Sequence, residues 1–193
     1  MALMHSSASQ RGWQAPAFHL KGTDGAFYSL ESFIEAKGLL VVFMCNHCPY
    51  VVAVHERLSA LAREFLPQGI FVIGINSNDP LYKEADSFEN MIRIAEEWKL
   101  PFPYVFDETQ EVARAYDAVC TPDPYLFENV GGLFRLFYRG RIDDSWKDPA
   151  AVQEPSLRLA MEALVSGKEG AREMIPSMGC SIKWKELTPG RKA

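Results

Sequence analysis

Apolar and polar positions along the chain fall into blocks with two different periods. Leu39-Leu40-Val41-Val42-Phe43-Met44 is an unbroken apolar run of strand length, which suits a central strand covered on both faces. Beyond Pro49, apolar residues recur at Val51, Val54, Leu58, Leu61 and Phe65, a spacing of three and four that predicts an amphipathic helix. Pro49 suits the first turn of that helix, where a missing N–H costs nothing. Ile70-Phe71-Val72-Ile73-Gly74-Ile75 repeats the buried-strand pattern and ends in the turn-rich Asn76-Ser77-Asn78-Asp79-Pro80. Strand, helix, strand in this order predicts a right-handed parallel crossover.

The flanking blocks are shorter. Phe18 and Leu20 alternate with polar positions, Asp24-Gly25 makes a turn, and Phe27, Tyr28 and Leu30 follow. This predicts a β-hairpin leading into a short helix around Glu31–Ala36. Ser87 caps a helix running to Trp98, Phe102 to Phe106 is a short strand, and a further helix spans about Glu108 to Tyr116. Tyr125–Phe127 and Leu133–Tyr138 flank Gly131-Gly132, so two antiparallel strands are expected there. Pro155 to Val165 reads as a closing helix ended by Gly167. The fold class is therefore α/β, a central mixed β-sheet flanked by helices, with an N-terminal β-hairpin and a C-terminal extension.

Composition narrows the function classes. The chain has 193 residues, 48% hydrophobic and 23% charged, which is ordinary globular composition. A net charge of −5 provides no electrostatic reason to expect nucleic acid or an anionic membrane as partner. Met1 to Trp13 lacks the apolar stretch of a secretion signal, and Leu39 to Met44 is too short to span a bilayer. The expectation is a cytoplasmic protein. In a reducing compartment four cysteines (45, 48, 120 and 180) point to catalysis or metal binding rather than a disulfide framework.

Cys45 and Cys48 carry the chemistry. A strand that stops at a cysteine just before a helix sets sulfur at a helix N-terminus, where unpaired N–H groups and the dipole favour an anion. Such surroundings bring a cysteine pKa down to roughly 3.5–7.5. The Cys-x-x-C spacing lets the second sulfur resolve a mixed disulfide formed on the first. Cys45 is expected to be the exposed nucleophile and Cys48 the more buried resolving thiol, with a His47 imidazolium stabilising the thiolate.

Several further motifs stand in fixed order: Pro16-Ala17-Phe18, Phe43-Met44-Cys45-Asn46-His47-Cys48-Pro49-Tyr50, Ile75-Asn76-Ser77-Asn78-Asp79, Pro103-Tyr104-Val105-Phe106-Asp107, Cys120-Thr121-Pro122-Asp123 and Gly179-Cys180-Ser181-Ile182-Lys183-Trp184-Lys185. From Trp13 to about Trp184 the chain resembles the thioredoxin superfamily, in its peroxiredoxin-like (AhpC/TSA, redoxin) branch with a Cys-x-x-C motif. The resemblance implies a thioredoxin-like fold over residues 13–185, including the 168–185 extension, with a mobile tail at 1–12 and a second tail at 186–193. It implies that Thr121-Pro122 is the cis-proline loop lying against the redox pair, and that Cys120 stands close by. Relative to peroxiredoxins, Cys45 occupies the place of the Thr or Ser three residues before the peroxidatic cysteine. The buried Asp of thioredoxin falls at Leu39, leaving His47 or Asp123 as substitute bases.

The expected function is thiol–disulfide oxidoreductase chemistry, antioxidant or directed at protein thiols. Its partners would be a protein or small-molecule disulfide and a reducing dithiol. The alternative is a thiol-dependent peroxidase in which Cys48 attacks peroxide and Cys45 resolves the sulfenic acid. A third reading is a metal (copper) binding or delivery module built on Cys45, His47 and Cys48. No second Cys-x-x-C or His-x-His is present to close a zinc site, and neither a resident metal nor another cofactor is expected. His55, Arg139 and Arg141 read as packing or solvated residues, and Cys180 as a buried cysteine of the tail.

Overall fold

The computed structural model describes residues 3–7, 10–170 and 173–185. In chain order its elements are β1 (Leu3–His5), β2 (His19–Gly22), β3 (Phe27–Ser29), β4 (Gly38–Phe43), α1 (Pro49–Phe65), β5 (Ile70–Asn76), α2 (Phe88–Glu97), β6 (Tyr104–Phe106), α3 (Glu111–Ala115), β7 (Cys120–Thr121), β8 (Asp123–Val130), β9 (Leu133–Arg139), α4 (Ser156–Val165) and β10 (Met178–Ser181). Seven strands form one mixed sheet in the order β3-β2-β6-β5-β4-β8-β9, and β1-β10-β7 form a second, smaller sheet.

The unbroken apolar run becomes β4, paired in parallel with β5 and antiparallel with β8. Every β4 residue is buried because both of its faces are covered. Leu40 and Val42 pack with α1, Met91 of α2 and α4, while Leu39, Val41 and Phe43 pack with Val112 and Ala113 of α3 and the aromatic group Phe18, Tyr116, Tyr125 and Phe127. The apolar stripe of α1 that the spacing predicts, Val51, Val54, Leu58, Leu61 and Phe65, is buried against the sheet. Each such side chain contributes about 1.5–3 kcal/mol of hydrophobic stabilisation.

Ser87 caps α2 as expected, its hydroxyl accepting from the Asn90 N–H at 3.3 Å. The β2–β3 and β8–β9 hairpins are present. The short helix expected around Glu31–Ala36 is a 3-10 helix over Leu30–Phe33. One expectation is corrected. Leu3–His5, read as part of a mobile tail, pairs as β1 with β10, which in turn pairs with β7. The tail stretch 186–193 lies outside the described residues. Among the described residues no helix is long and apolar enough to cross a membrane.

Candidate active site

β4 ends at Phe43, and α1 begins at Pro49 with Cys48 as its N-cap residue. The connecting loop is pinned by side chains from three other segments. The Asn46 N–H donates to Asp86 Oδ1 at 2.8 Å, its Nδ2 to the Ala85 carbonyl at 2.7 Å, and Tyr104 Oη donates to Asn46 Oδ1 at 2.8 Å. Asp86 is wholly buried and also accepts from Asn78 Nδ2 at 2.8 Å. His47 turns to this carboxylate: its Nδ1 lies 2.5 Å from Asp86 Oδ2, at ion-pair distance though not aligned as a hydrogen bond.

The Thr121-Pro122 peptide is cis, as the resemblance implies, and it closes over the pair. Thr121 Oγ1 is 3.4 Å from Cys45 Sγ, and the Thr121 carbonyl is 3.2 Å from Cys48 Sγ, within reach of its S–H. The carbonyl favours the Cys48 thiol, but four donors favour the thiolate. They are the S–H of Cys45, the S–H and N–H of Cys180, and the N–H of Val51 in the first turn of α1. The donors prevail over both the carbonyl and desolvation, holding Cys48 at about 5 rather than 9.0. Cys45 goes the other way. Its sulfur is desolvated, donates to Cys48 and feels the Asp86 charge, so its pKa stands well above 9.0.

The acidity of the two sulfurs runs opposite to the expected order. Cys45 is not exposed, since both cysteines have no accessible surface. The acidic sulfur is Cys48, because the helix donors and neighbouring thiols converge on the N-cap position and not on the residue three before it. Cys120 is near the pair but its sulfur faces Ser177 Oγ at 3.8 Å, and burial raises it to about 12. Asp123 is no substitute base: it is buried and engaged by Arg139 at 2.7 Å, Ser177 at 3.0 Å and Tyr125 at 3.1 Å. His55 stacks on Trp98 at 4.1 Å, the packing role the sequence suggests. Arg141 pairs with Glu154, whereas Arg139 is buried and not solvated.

Asp86 is the functional group the sequence reading missed. It follows a polar stretch in the 3-10 turn Glu84–Asp86, with no periodicity or motif to single it out. The ligand atoms of Cys45, His47 and Asp86 lie within 4.8 Å of one another. As a metal set they fit poorly, because His47 and Asp86 already close on each other at 2.5 Å, too near for an ion between them. Next to the pair a cavity of about 200 Å³, mostly apolar, is lined by Pro122, Tyr50, Val54, Ile142, Trp146 and Ile175 among others. It sets an apolar surface beside the cis-proline loop, where a substrate chain would approach.

Solved structures and curated proteins resemble this chain. An uncharacterised conserved protein from Geobacillus kaustophilus is 43% identical, with a TM-score of 0.91 over 97% of this chain and 99% of that one. The thiol–disulfide oxidoreductase ResA of Halalkalibacterium halodurans is 26% identical over 137 residues, 71% of this chain and 73% of its own length. The thioredoxin domain of a thiol–disulfide oxidoreductase from Bacteroides vulgatus, 23% identical with a TM-score of 0.56 over 69% of this chain and 91% of that one, shows the same thioredoxin fold. The AhpC/TSA family model matches residues 12–134, a span that takes in the cysteine loop, the buried Asp86 and the cis-proline strand, and the chain belongs to that family.

Proposed function

We propose that the chain is a thiol–disulfide oxidoreductase working through the Cys45–Cys48 dithiol. The observation that carries the reading is the meeting of both sulfurs under the cis-proline loop at the N-terminus of α1, with Thr121 Oγ1 3.4 Å from Cys45 Sγ and the Thr121 carbonyl 3.2 Å from Cys48 Sγ. The hydrogen bonds that converge on Cys48 favour its thiolate over that of Cys45. The curated relatives named thiol–disulfide oxidoreductase ResA support the same chemistry.

In the reductive direction the Cys48 thiolate attacks one sulfur of a substrate disulfide, forming a mixed disulfide and releasing a thiolate that takes up a proton. Loss of the Cys48 negative charge removes one of the factors that hold Cys45 protonated. Cys45 then gives its proton to the Asp86–His47 pair, whose ligand atoms are within 4.8 Å, and attacks Cys48. The Cys45–Cys48 bond forms as the second substrate thiol leaves, and an external dithiol returns the pair to its reduced state. Both sulfurs are covered, so a substrate must displace what lies over them before it can react.

The peroxidase alternative is less well supported. Arg139, a candidate for polarising a peroxide, is committed to Asp123 and stacks at 4.3 Å on Tyr125. The test is reduction of insulin disulfides by dithiothreitol with wild type and single variants. Cys48→Ser is expected to lose turnover, and Cys45→Ser to turn over more slowly than wild type. Wild-type turnover in either variant would refute the pair.

A further inference from the structure

The third thiol beside the pair belongs to the C-terminal strand. β10 runs antiparallel to β7 with Cys180 directly opposite Thr121, the residue whose carbonyl lies 3.2 Å from Cys48 Sγ. In such a pair facing Cα atoms are about 4.5–5.5 Å apart, so Cys180 is brought to the Cys48 side of the cis-proline loop. The approach is as close as backbone allows. A Cβ on Gly179 would stand 1.9 Å from the Thr121 carbonyl oxygen, so a side chain at that position would push β10 away. Both the S–H and the N–H of Cys180 reach the Cys48 sulfur, and Cys180 is 3% exposed. Cys120, also buried, faces Ser177 instead.

From this geometry we propose that Cys180 is a third redox thiol that exchanges with Cys48, making a Cys48–Cys180 disulfide the alternative to Cys45–Cys48. The inference rests on the oxidoreductase reading of the same site and extends it. Starting from the Cys45–Cys48 disulfide, the Cys180 sulfur attacks Cys48. The Cys48–Cys180 bond forms, the Cys45–Cys48 bond breaks, and the leaving Cys45 sulfur takes up the proton that Cys180 gives up. No electrons enter or leave. The same attack on a Cys48–substrate mixed disulfide would release the substrate as a thiol. Two thiols flanking one acidic sulfur then offer two exits from the mixed disulfide. The Cys180 exit also ties the C-terminal strand covalently to the start of α1.

Side-chain rotation must bring the two sulfurs to an S–S bond of about 2.05 Å. The proton on Cys180 is held tightly, at about 12, largely through its burial and the Cys48 charge, and the Cys48 part of that hold ends once Cys48 is in a disulfide. Oxidation of Cys48 therefore eases proton loss from Cys180.

The probe is oxidised glutathione, applied to full-length wild type, Cys45→Ser and Cys45→Ser/Cys180→Ser proteins. After acid quenching and alkylation, tryptic peptides separate the sites: residues 38–57 carry Cys45 and Cys48, 115–135 carry Cys120, and 173–183 carry Cys180. In the Cys45→Ser protein the expected product is a link between 38–57 and 173–183, with Cys120 alkylated. Adding Cys180→Ser is expected to raise the Cys48–glutathione adduct at least about tenfold, because no resolving thiol remains. A Cys45→Ser protein in which Cys180 remains alkylatable overturns the relay. Wild type separates this from failure of the underlying reading. A wild-type link confined to 38–57, with Cys180 unreacted in the Cys45→Ser protein, removes only the relay. A wild-type link to 173–183 with none inside 38–57 keeps Cys180 and removes the Cys45–Cys48 pair.

Discussion

Lowering the pH should destabilise the reduced protein through Cys48, and the size of the effect follows from the donors around its sulfur. Folding takes Cys48 from an ordinary 9.0 to about 5. A group whose folded pKa is depressed contributes stability that is complete above the unfolded pKa and lost as pH falls through the folded one. The full contribution is about 5 kcal/mol above pH 9, and it falls by about 1.4 kcal/mol per pH unit until it vanishes near pH 5. Cys45, Cys120 and Cys180 are all shifted upward, so they stay protonated in both states below pH 8 and do not add to the slope. The assay is urea unfolding at pH 6 and pH 8 with phosphine reductant, for wild type and Cys48→Ser. Other titrating groups cancel in the difference. Between the two pH values the wild-type advantage should grow by about 2.7 kcal/mol. Equal pH slopes for the two proteins would refute the claim that these donors hold a thiolate.

Three further perturbations test the surroundings. Burial and the bond to Cys48 do most to raise the Cys45 pKa; Asp86→Asn removes the further push of the Asp86 charge and turns one acceptor into a donor facing Asn78, so the Cys45 pKa should fall. Alkylation rate against pH reads that change, and urea unfolding should show a loss of about 1–3 kcal/mol for the misfitted buried group. Gly179→Ala places a methyl against the Thr121 carbonyl and should cost about 1–3 kcal/mol. The same variant should raise the Cys48 pKa, read by thiolate absorbance near 240 nm, because β10 carries two of the four donors. Arg139→Met leaves the buried Asp123 without its cation and should destabilise by about 3–5 kcal/mol in chemical unfolding, while Arg139→Met/Asp123→Leu should recover much of the loss.

The elements carrying strong local periodicity were legible in the sequence. Leu39 to Met44 could hardly be anything but a two-sided buried strand, and the stripe from Val51 to Phe65 dictates which face of α1 meets it. The spacing of Cys45 and Cys48 and the strand–helix junction were enough to find the pair. What stayed hidden depends on contacts far apart in sequence. β1 and β7 are three and two residues long, too short for any pattern, and exist because β10 pairs with both. Asp86 matters because Asn46, His47 and Asn78 converge on it, not because of its neighbours. The acidity order of the two cysteines could not be read from spacing either. It is set by the hydrogen bond from Cys45 to Cys48, by Cys180, more than a hundred residues away, and by the N-cap position of Cys48.

The most direct test of the central claim is equilibration of wild-type protein across a series of oxidised-to-reduced dithiothreitol ratios. Each sample is quenched in acid, alkylated and mapped. The pairing of Cys45 and Cys48 predicts that they lose alkylation together in one two-electron transition, with the principal disulfide inside residues 38–57. Independent titration of the two, or both remaining alkylated at every ratio, would contradict it.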